Sequence, residues 1–211
     1  SLVLTVAPKT LTVNGLSVND KEYDGNLTAT PVGGLLDGIF STDVVSFSAT
    51  ATFATKVVGV AKPVTVVLTL NGADASKYVV TPLTGLTASI TAKNLTITGA
   101  AAQNKPFDGT TAATITGTLS GVVSGDNVTL VGTGVFASAA QGTGIPVTST
   151  ATLAGTDAGN YTLTQPAGLS ANITQPAILM WNTFGSVGTE STEPSSYNNP
   201  NVAAASMSIN G

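Results

Sequence analysis

Acidic side chains are the first candidates for chemistry, because three of them come back at fixed distances. Asp24 and Asp108 lie 84 positions apart, whereas Asp43 and Asp126, like Asp74 and Asp157, lie 83 apart. Three carboxylates in one small domain could hold calcium at a domain junction, an ion that asks for about six to eight oxygens. Two at a defined separation could serve a glycosidase as acid and base. The residues around them argue against both. Each aspartate stands beside glycine or in a turn-forming stretch, where Asx turns and capping are the ordinary use of that side chain. A catalytic site is normally built once, yet these acids come in duplicate and with almost no aromatic platform for a sugar. The expectation is therefore no enzyme: no catalytic residues, no metal site and no cofactor.

Missing residue types narrow the field further. With no cysteine and no histidine, thiol nucleophiles, imidazole bases and zinc sites are ruled out. Seven basic residues, all lysine, against eleven acidic ones give a net charge of −4, so no cationic stripe is present for nucleic acid or anionic lipid. The longest apolar stretches, such as Val64 to Leu70, fall far short of the roughly 20 residues that cross a bilayer, and no signal peptide is evident. No nucleic-acid partner and no membrane span are expected. An internal crosslink between lysine and a neighbouring amide or acid would have Lys93 and Asn172 as its candidates. The five Asn-x-Thr triplets, at Asn26, Asn94, Asn127, Asn160 and Asn172, arise readily in threonine-rich strands and are expected to stay unmodified.

The duplicated acids belong to a duplicated chain. Lys9-Thr10-Leu11-Thr12-Val13-Asn14-Gly15 returns as Lys93-Asn94-Leu95-Thr96-Ile97-Thr98-Gly99, and Gly72 to Tyr78 returns as Gly155 to Tyr161. The change of offset from 84 to 83 implies one deleted residue, expected in a loop. Leu4 to Pro8 match the end of a unit, Ser89 to Ala92, so the chain is expected to start inside a longer array. The resulting division is 1–8 as the end of a preceding repeat, 9–92 as repeat 1, 93–175 as repeat 2, and 176–211 as the start of a different β domain or a docking tail.

Within each repeat apolar and polar residues alternate with period two, as half-buried strands require. Phe47, Ala49, Ala51 and Phe53 form one inward face, and Val64, Val66, Leu68 and Leu70 another. Turn residues such as Asp24-Gly25, Asn71-Gly72 and Asp108-Gly109 punctuate the chain at the spacing of antiparallel sandwiches, with some seven strands per unit. Tyr78 and Tyr161, each four residues after an aspartate, resemble the tyrosine corner of immunoglobulin-like sandwiches, whose hydroxyl returns to backbone a few residues upstream. The fold class expected is all-β: tandem Ig-like β-sandwich repeats arranged end to end, plus a C-terminal extended segment. Another compact β architecture, such as a β-grasp-like sheet, stays open as the alternative.

Lys21-Glu22-Tyr23-Asp24-Gly25-Asn26 and Lys105-Pro106-Phe107-Asp108-Gly109-Thr110, followed by Gly125-Asp126-Asn127-Val128 and by the stretches ending in Tyr78 and Tyr161, carry a family resemblance. The units resemble the YDG-type repeats of bacterial surface proteins, relatives of the mostly-β bacterial Ig-like modules strung together in large secreted adhesins. The resemblance spans about residues 8 to 175, with Asn26 and Lys77 as departures from the usual pattern. It implies a secreted or cell-surface location in a bacterium and a stalk-like role, and it brings no catalytic residues. The function expected is an extracellular stalk segment of an adhesin that projects a terminal domain, with neighbouring repeats of the same protein as partners.

Very short links at Thr91-Ala92-Lys93 and Thr174-Gln175-Pro176 should limit motion between domains. After Pro176 the pattern stops. Ile178 to Phe184 and Met207 to Ile209 are apolar segments too short to close a sandwich, so the 176–211 tail is expected to dock on a neighbour and to support self-association. The rival reading is a module that binds carbohydrate or another ligand, with Trp181, Phe184 and Tyr197 as its exposed aromatics, because Phe47, Phe53, Phe136, Tyr78 and Tyr161 fall on core positions.

Overall fold

The structure, a computed structural model, describes residues 6–175, which lie in one compact unit. Expectations that concern residues 1–5 and the tail 176–211, including the C-terminal extended segment, fall outside the described residues. Alternating Thr/Ser and apolar residues produce strands throughout, as a pleated surface with one buried face demands. Repeat 1 contains β1 (Lys9–Val18), β2 (Lys21–Glu22), β3 (Thr28–Ala29), β4 (Pro31–Asp37), β5 (Ser46–Phe53), β6 (Gly59–Asn71), β7 (Tyr78–Val80) and β8 (Thr87–Thr91). Repeat 2 contains β9 (Lys93–Ala102), β10 (Lys105–Pro106), β11 (Ala112–Ser120), β12 (Thr129–Val131), β13 (Thr133–Phe136), β14 (Gly142–Ser149), β15 (Thr152–Ala154), β16 (Tyr161–Leu163) and β17 (Leu169–Thr174). The helical content among the described residues is two single 3-10 turns, Ala75–Lys77 and Ala158–Asn160. No helix there is long and apolar enough to cross a membrane.

The chain is all-β, and both repeats follow one plan. The long hairpin β5–β6 runs in register from Ser46 opposite Asn71 to Phe53 opposite Val64. This sets the two predicted apolar faces side by side on the inner surface. β8 joins β6, and β2 joins β8, in the order β2-β8-β6-β5-β3, while a second sheet has the order β4-β1-β7. The antiparallel pattern expected from turn spacing is broken twice in each repeat: β1 pairs in parallel with β7 and β2 with β8, as β9 does with β16 and β10 with β17. Parallel neighbours cannot be joined by a hairpin, so each repeat is tied together by contacts distant in sequence.

The one-residue deletion lies in a strand, not in the expected loop. Asn14 pairs with Leu35 and Ser17 with Val32, whereas Thr98 pairs with Thr118 and Ala101 with Thr116, with a register shift between Thr116 and Thr118. Gly33-Gly34 in repeat 1 has become the single Gly117 in repeat 2. A β-bulge absorbs such a change because one strand can carry an extra residue without moving its flanks. Glycine is required there: a Cβ on Gly117 would sit 2.4 Å from Ile97 Cγ2, and φ is +149°.

Every strand pairing among the described residues stays within one repeat. The buried core does not. One cluster joins Tyr23, Phe53, Val66 and Ile90 of repeat 1 to Leu95 and Tyr161 of repeat 2. A second, formed by Ile115, Phe136, Val147, Ala171 and Ile173, fills the distal part of repeat 2. Two modules closed by their own hydrogen bonds therefore share apolar burial where they meet.

Candidate functional site

The junction is built from the duplicated motifs. Lys21 and Lys105 each begin a tight turn whose aspartate accepts the backbone N–H two residues on, Asp24 from Asn26 and Asp108 from Thr110, both at 2.9 Å. These are the expected Asx turns. The lysine closes each turn: Lys21 Nζ reaches Asp24 at 2.7 Å and the Asn26 carbonyl at 2.8 Å, and Lys105 Nζ reaches Asp108 at 2.8 Å and the Thr110 carbonyl at 2.7 Å. Both ammonium groups also lie 5.6 Å from a core ring, Phe53 or Phe136. For Asp24, burial that would raise the carboxyl is outweighed by Lys21 and Asn26, leaving it below the ordinary range. Asp108 is held down to about 2, chiefly by Lys105 and then by Thr110.

What this turn presents is the aromatic residue between its lysine and its aspartate. Tyr23 is 1% exposed and its ring meets Tyr161 of repeat 2 edge-on, with centroids 5.4 Å apart and planes at 76°. Its hydroxyl donates to Asp126 Oδ2 at 2.8 Å; the Tyr161 hydroxyl donates to the same oxygen at 2.5 Å and accepts from the Val123 N–H at 3.0 Å. Lys56, from the β5–β6 loop, stands 3.8 Å from Asp126 Oδ1. Around this centre the Val58 N–H donates to Asn160 Oδ1 at 3.0 Å and Lys93 pairs with Glu22 at 3.0 Å. Gly25 comes so close to repeat 2 that a Cβ would lie 2.9 Å from Val123 Cγ1.

Electrostatics fix the protons. Asp126 is lowered below its ordinary value by the Tyr161 hydroxyl first, with Tyr23 and Lys56 adding to it. Burial, then the bond to Asp126, pushes Tyr161 up to about 12 and Tyr23 higher still. A carboxylate that stays ionised and phenols that stay protonated exchange nothing near neutral pH. The arrangement binds two modules together.

The same parts recur at the opposite end of repeat 1, on the β4–β5 loop and β7. Tyr78, buried, donates to Asp43 Oδ2 at 2.7 Å and accepts from the Phe40 N–H at 3.1 Å. The predicted tyrosine corner is thus satisfied at long range: the backbone partners, Phe40 and Val123, lie 38 residues upstream rather than a few. Asp74 and Asp157 likewise serve a distant loop, accepting the Val44 and Asn127 N–H groups at 2.8 Å, a bond 30 residues long in each case. Each of the six aspartates thus has its own partner, and no group of three metal-ligating side chains is found among the described residues. Lys93 reaches Glu22 while Asn172 Oδ1 accepts from the Gly144 N–H at 2.8 Å, so the crosslink candidates are engaged elsewhere. Asn160, one of the Asn-x-Thr residues, is buried in the junction. Of the aromatics assigned to the core, Phe53, Phe136, Tyr78 and Tyr161 are buried and Phe47 is half-buried; Trp181, Phe184 and Tyr197 lie outside the described residues.

Sequence reasoning singled out Asp126 and Tyr161 separately and missed Tyr23 as the third member. Spacing carried no signal for the trio: Tyr23 stands in the same Lys-x-aromatic-Asp-Gly stretch as Phe107, and nothing in the order of residues ties it to Asp126 and Tyr161, which lie 103 and 138 positions further on.

Fold and junction together define a tandem all-β repeat protein whose modules are joined by an aromatic-Asp-Gly turn. The model of the YDG domain matches residues 7–85 and again 91–168, and the chain belongs to that family. No curated protein and no solved structure matches the chain.

Proposed function

We propose that the chain is an extracellular structural segment, the stalk of a bacterial surface adhesin, which holds a terminal domain away from the cell. The observation that carries this reading is the junction. β8 ends at Thr91 and β9 begins at Lys93, leaving Ala92 as the whole link, and Tyr23, Asp126 and Tyr161 lock the modules across it. A single-residue link resists bending when the modules also share buried surface, since opening the hinge would break the Tyr23–Asp126 hydrogen bond and expose the apolar cluster that joins the two repeats. The surface setting rests on the likeness of the repeats to those of large adhesins. Small-angle scattering on the chain tests the mechanical part: an extended particle with a narrow shape distribution is expected, broadened in Tyr23→Ala, and a compact globule in the parent would overturn it. Antibody labelling of intact source cells tests the location, and absence of surface signal would refute it.

A further inference from the structure

Four short parallel ladders share a property that the antiparallel hairpins lack: each joins the opening segment of a repeat to its closing one. In repeat 1, β1 lies beside β7 with Lys9 opposite Tyr78 and Leu11 opposite Val80, and β2 lies beside β8 with Lys21 opposite Ile90 and Glu22 opposite Thr91. The Thr81 N–H donates to the Leu11 carbonyl and the Tyr23 N–H to the Thr91 carbonyl, both at 2.9 Å. Repeat 2 makes the same two bonds, Thr164 N–H to Leu95 at 2.9 Å and Phe107 N–H to Thr174 at 2.7 Å. A side chain adds a further tie in each repeat: Asp20 Oδ1 accepts the Ser89 N–H at 2.5 Å, and Asn104 Oδ1 accepts the Asn172 N–H at 2.7 Å. Leu11 and Ile90, like their counterparts Leu95 and Ile173, are at most 2% exposed, so core backs these ladders and keeps water from competing for their bonds.

We infer that these ladders form a tension clamp: a repeat pulled from its two ends carries the load through the bonds between its first and last strands, and carries it in shear. β1 starts at the end of repeat 1 that holds Tyr78, and β8 stops at the junction, so a pull on the chain draws the two apart along their own length. The pull on β1 passes to β2 through Asn19 and Asp20, and the pull on β8 passes back to β7 along residues 81–86. β1 is thereby dragged against β7, and β2 against β8. All bonds of a parallel ladder loaded in this way must break together, whereas an antiparallel hairpin pulled at its open end gives one bond at a time. The hairpin β5–β6 lies between the two segments in sequence and outside the path of the load. Such a clamp suits a chain under stretch, a use that rests on the stalk reading, whereas the path of the load follows from the strand order alone.

Single-molecule pulling on the whole chain is the test, and a sequence without cysteine lets engineered ones serve as unique handles. Handles at Ala7→Cys and Thr96→Cys, both exposed positions, load repeat 1 from its ends. Handles at Ser46→Cys and Asn71→Cys, which face each other at the open end of β5–β6, peel it instead. At equal force the end-loaded repeat should unfold on the order of a hundredfold more slowly than the peeled one, since several bonds break together rather than singly. Two matched losses locate the path. Asp20→Ala and Asp74→Ala each remove a carboxylate that accepts one backbone N–H, from Ser89 and from Val44, but of the two only Asp20 spans the opening and closing segments. Asp20→Ala should speed end-loaded unfolding about fivefold and Asp74→Ala should leave it at the parent rate, although urea denaturation reads similar stability losses for the two. Asp20→Asn should match the parent, because repeat 2 uses Asn104 at that position. End-loaded unfolding as fast as peeling, or an Asp74→Ala effect equal to that of Asp20→Ala, would overturn the inference, and neither result bears on the particle shape or the surface labelling that test the stalk.

Discussion

At the junction Asp126 takes two phenol hydroxyls, and at the upper end of repeat 1 Asp43 takes one, although the residues that build the two sockets are nearly the same. Asp126 is 4% exposed at its side chain against 13% for Asp43, and Val123 is packed where Phe40 is open. Lys77 stands where the buried Asn160 stands, which a solvated position permits and a filled one does not. The difference teaches that the motif is an interlocking device with two halves, a turn and a socket. Among the described residues the two halves meet once, where Tyr23 enters repeat 2, and the energetic weight of the motif lies in that burial.

The largest effect should separate the two turns. Tyr23→Ala empties a buried aromatic site and should cost about 4 kcal/mol, whereas Phe107→Ala should cost about 1 kcal/mol, both read from urea denaturation. Equal losses would mean that burial at the junction is energetically idle. Next come the two acids: Asp126→Ala strands two buried phenols and should cost about 3 kcal/mol, against about 1 kcal/mol for Asp43→Ala. The glycines give a finer contrast. Gly25→Ala meets Val123 in addition to an unfavourable φ of +78° and should cost about 2 kcal/mol, while Gly109→Ala at φ +75° pays the backbone strain alone, about 1 kcal/mol.

Smallest and broadest is the pH dependence. Asp126 has its folded pKa below the ordinary 3.8, so its contribution is intact above that value and is lost as pH falls toward the folded value. Tyr161 is raised from 10.0 to about 12, so its contribution is intact below pH 10 and is lost as the unfolded phenol ionises on the way to pH 12. Stability should therefore be level between about pH 4 and pH 10. Asp126→Asn should make the acid limb shallower without abolishing it, because Asp24, Asp74 and Asp108 are also lowered. An acid limb unchanged in that variant would show that the Asp126 carboxylate is not held by its phenols.

Much of this was legible in the residues. The inward faces of β5 and β6 follow from alternation alone, because period two puts every second side chain on one surface. The Asx turns at Asp24 and Asp108 follow from Asp-Gly chemistry within a few residues. What could not be read is whatever depends on a partner far along the chain. Tyr78 looked like a local corner, and its true partners lie on a loop that only folding brings near. The lost residue looked like a loop deletion, and the register between β9 and β11 shows a bulge. Asp43 and Asp126 looked like turn residues, and they are acceptors for tyrosine.

Amino-acid order by itself determined the doubling, the all-β class and the absence of thiol and imidazole chemistry, since these depend on residue type and on spacing of neighbours along the chain. Tertiary structure alone decided that Tyr23 crosses from one repeat into the next, that Phe107 does not enter a repeat of the described chain, and that Asp126 is more deeply buried than its twin Asp43. Burial is the reason: it is set by what packs on a surface, and identical motifs acquire different energies when only one of them is covered.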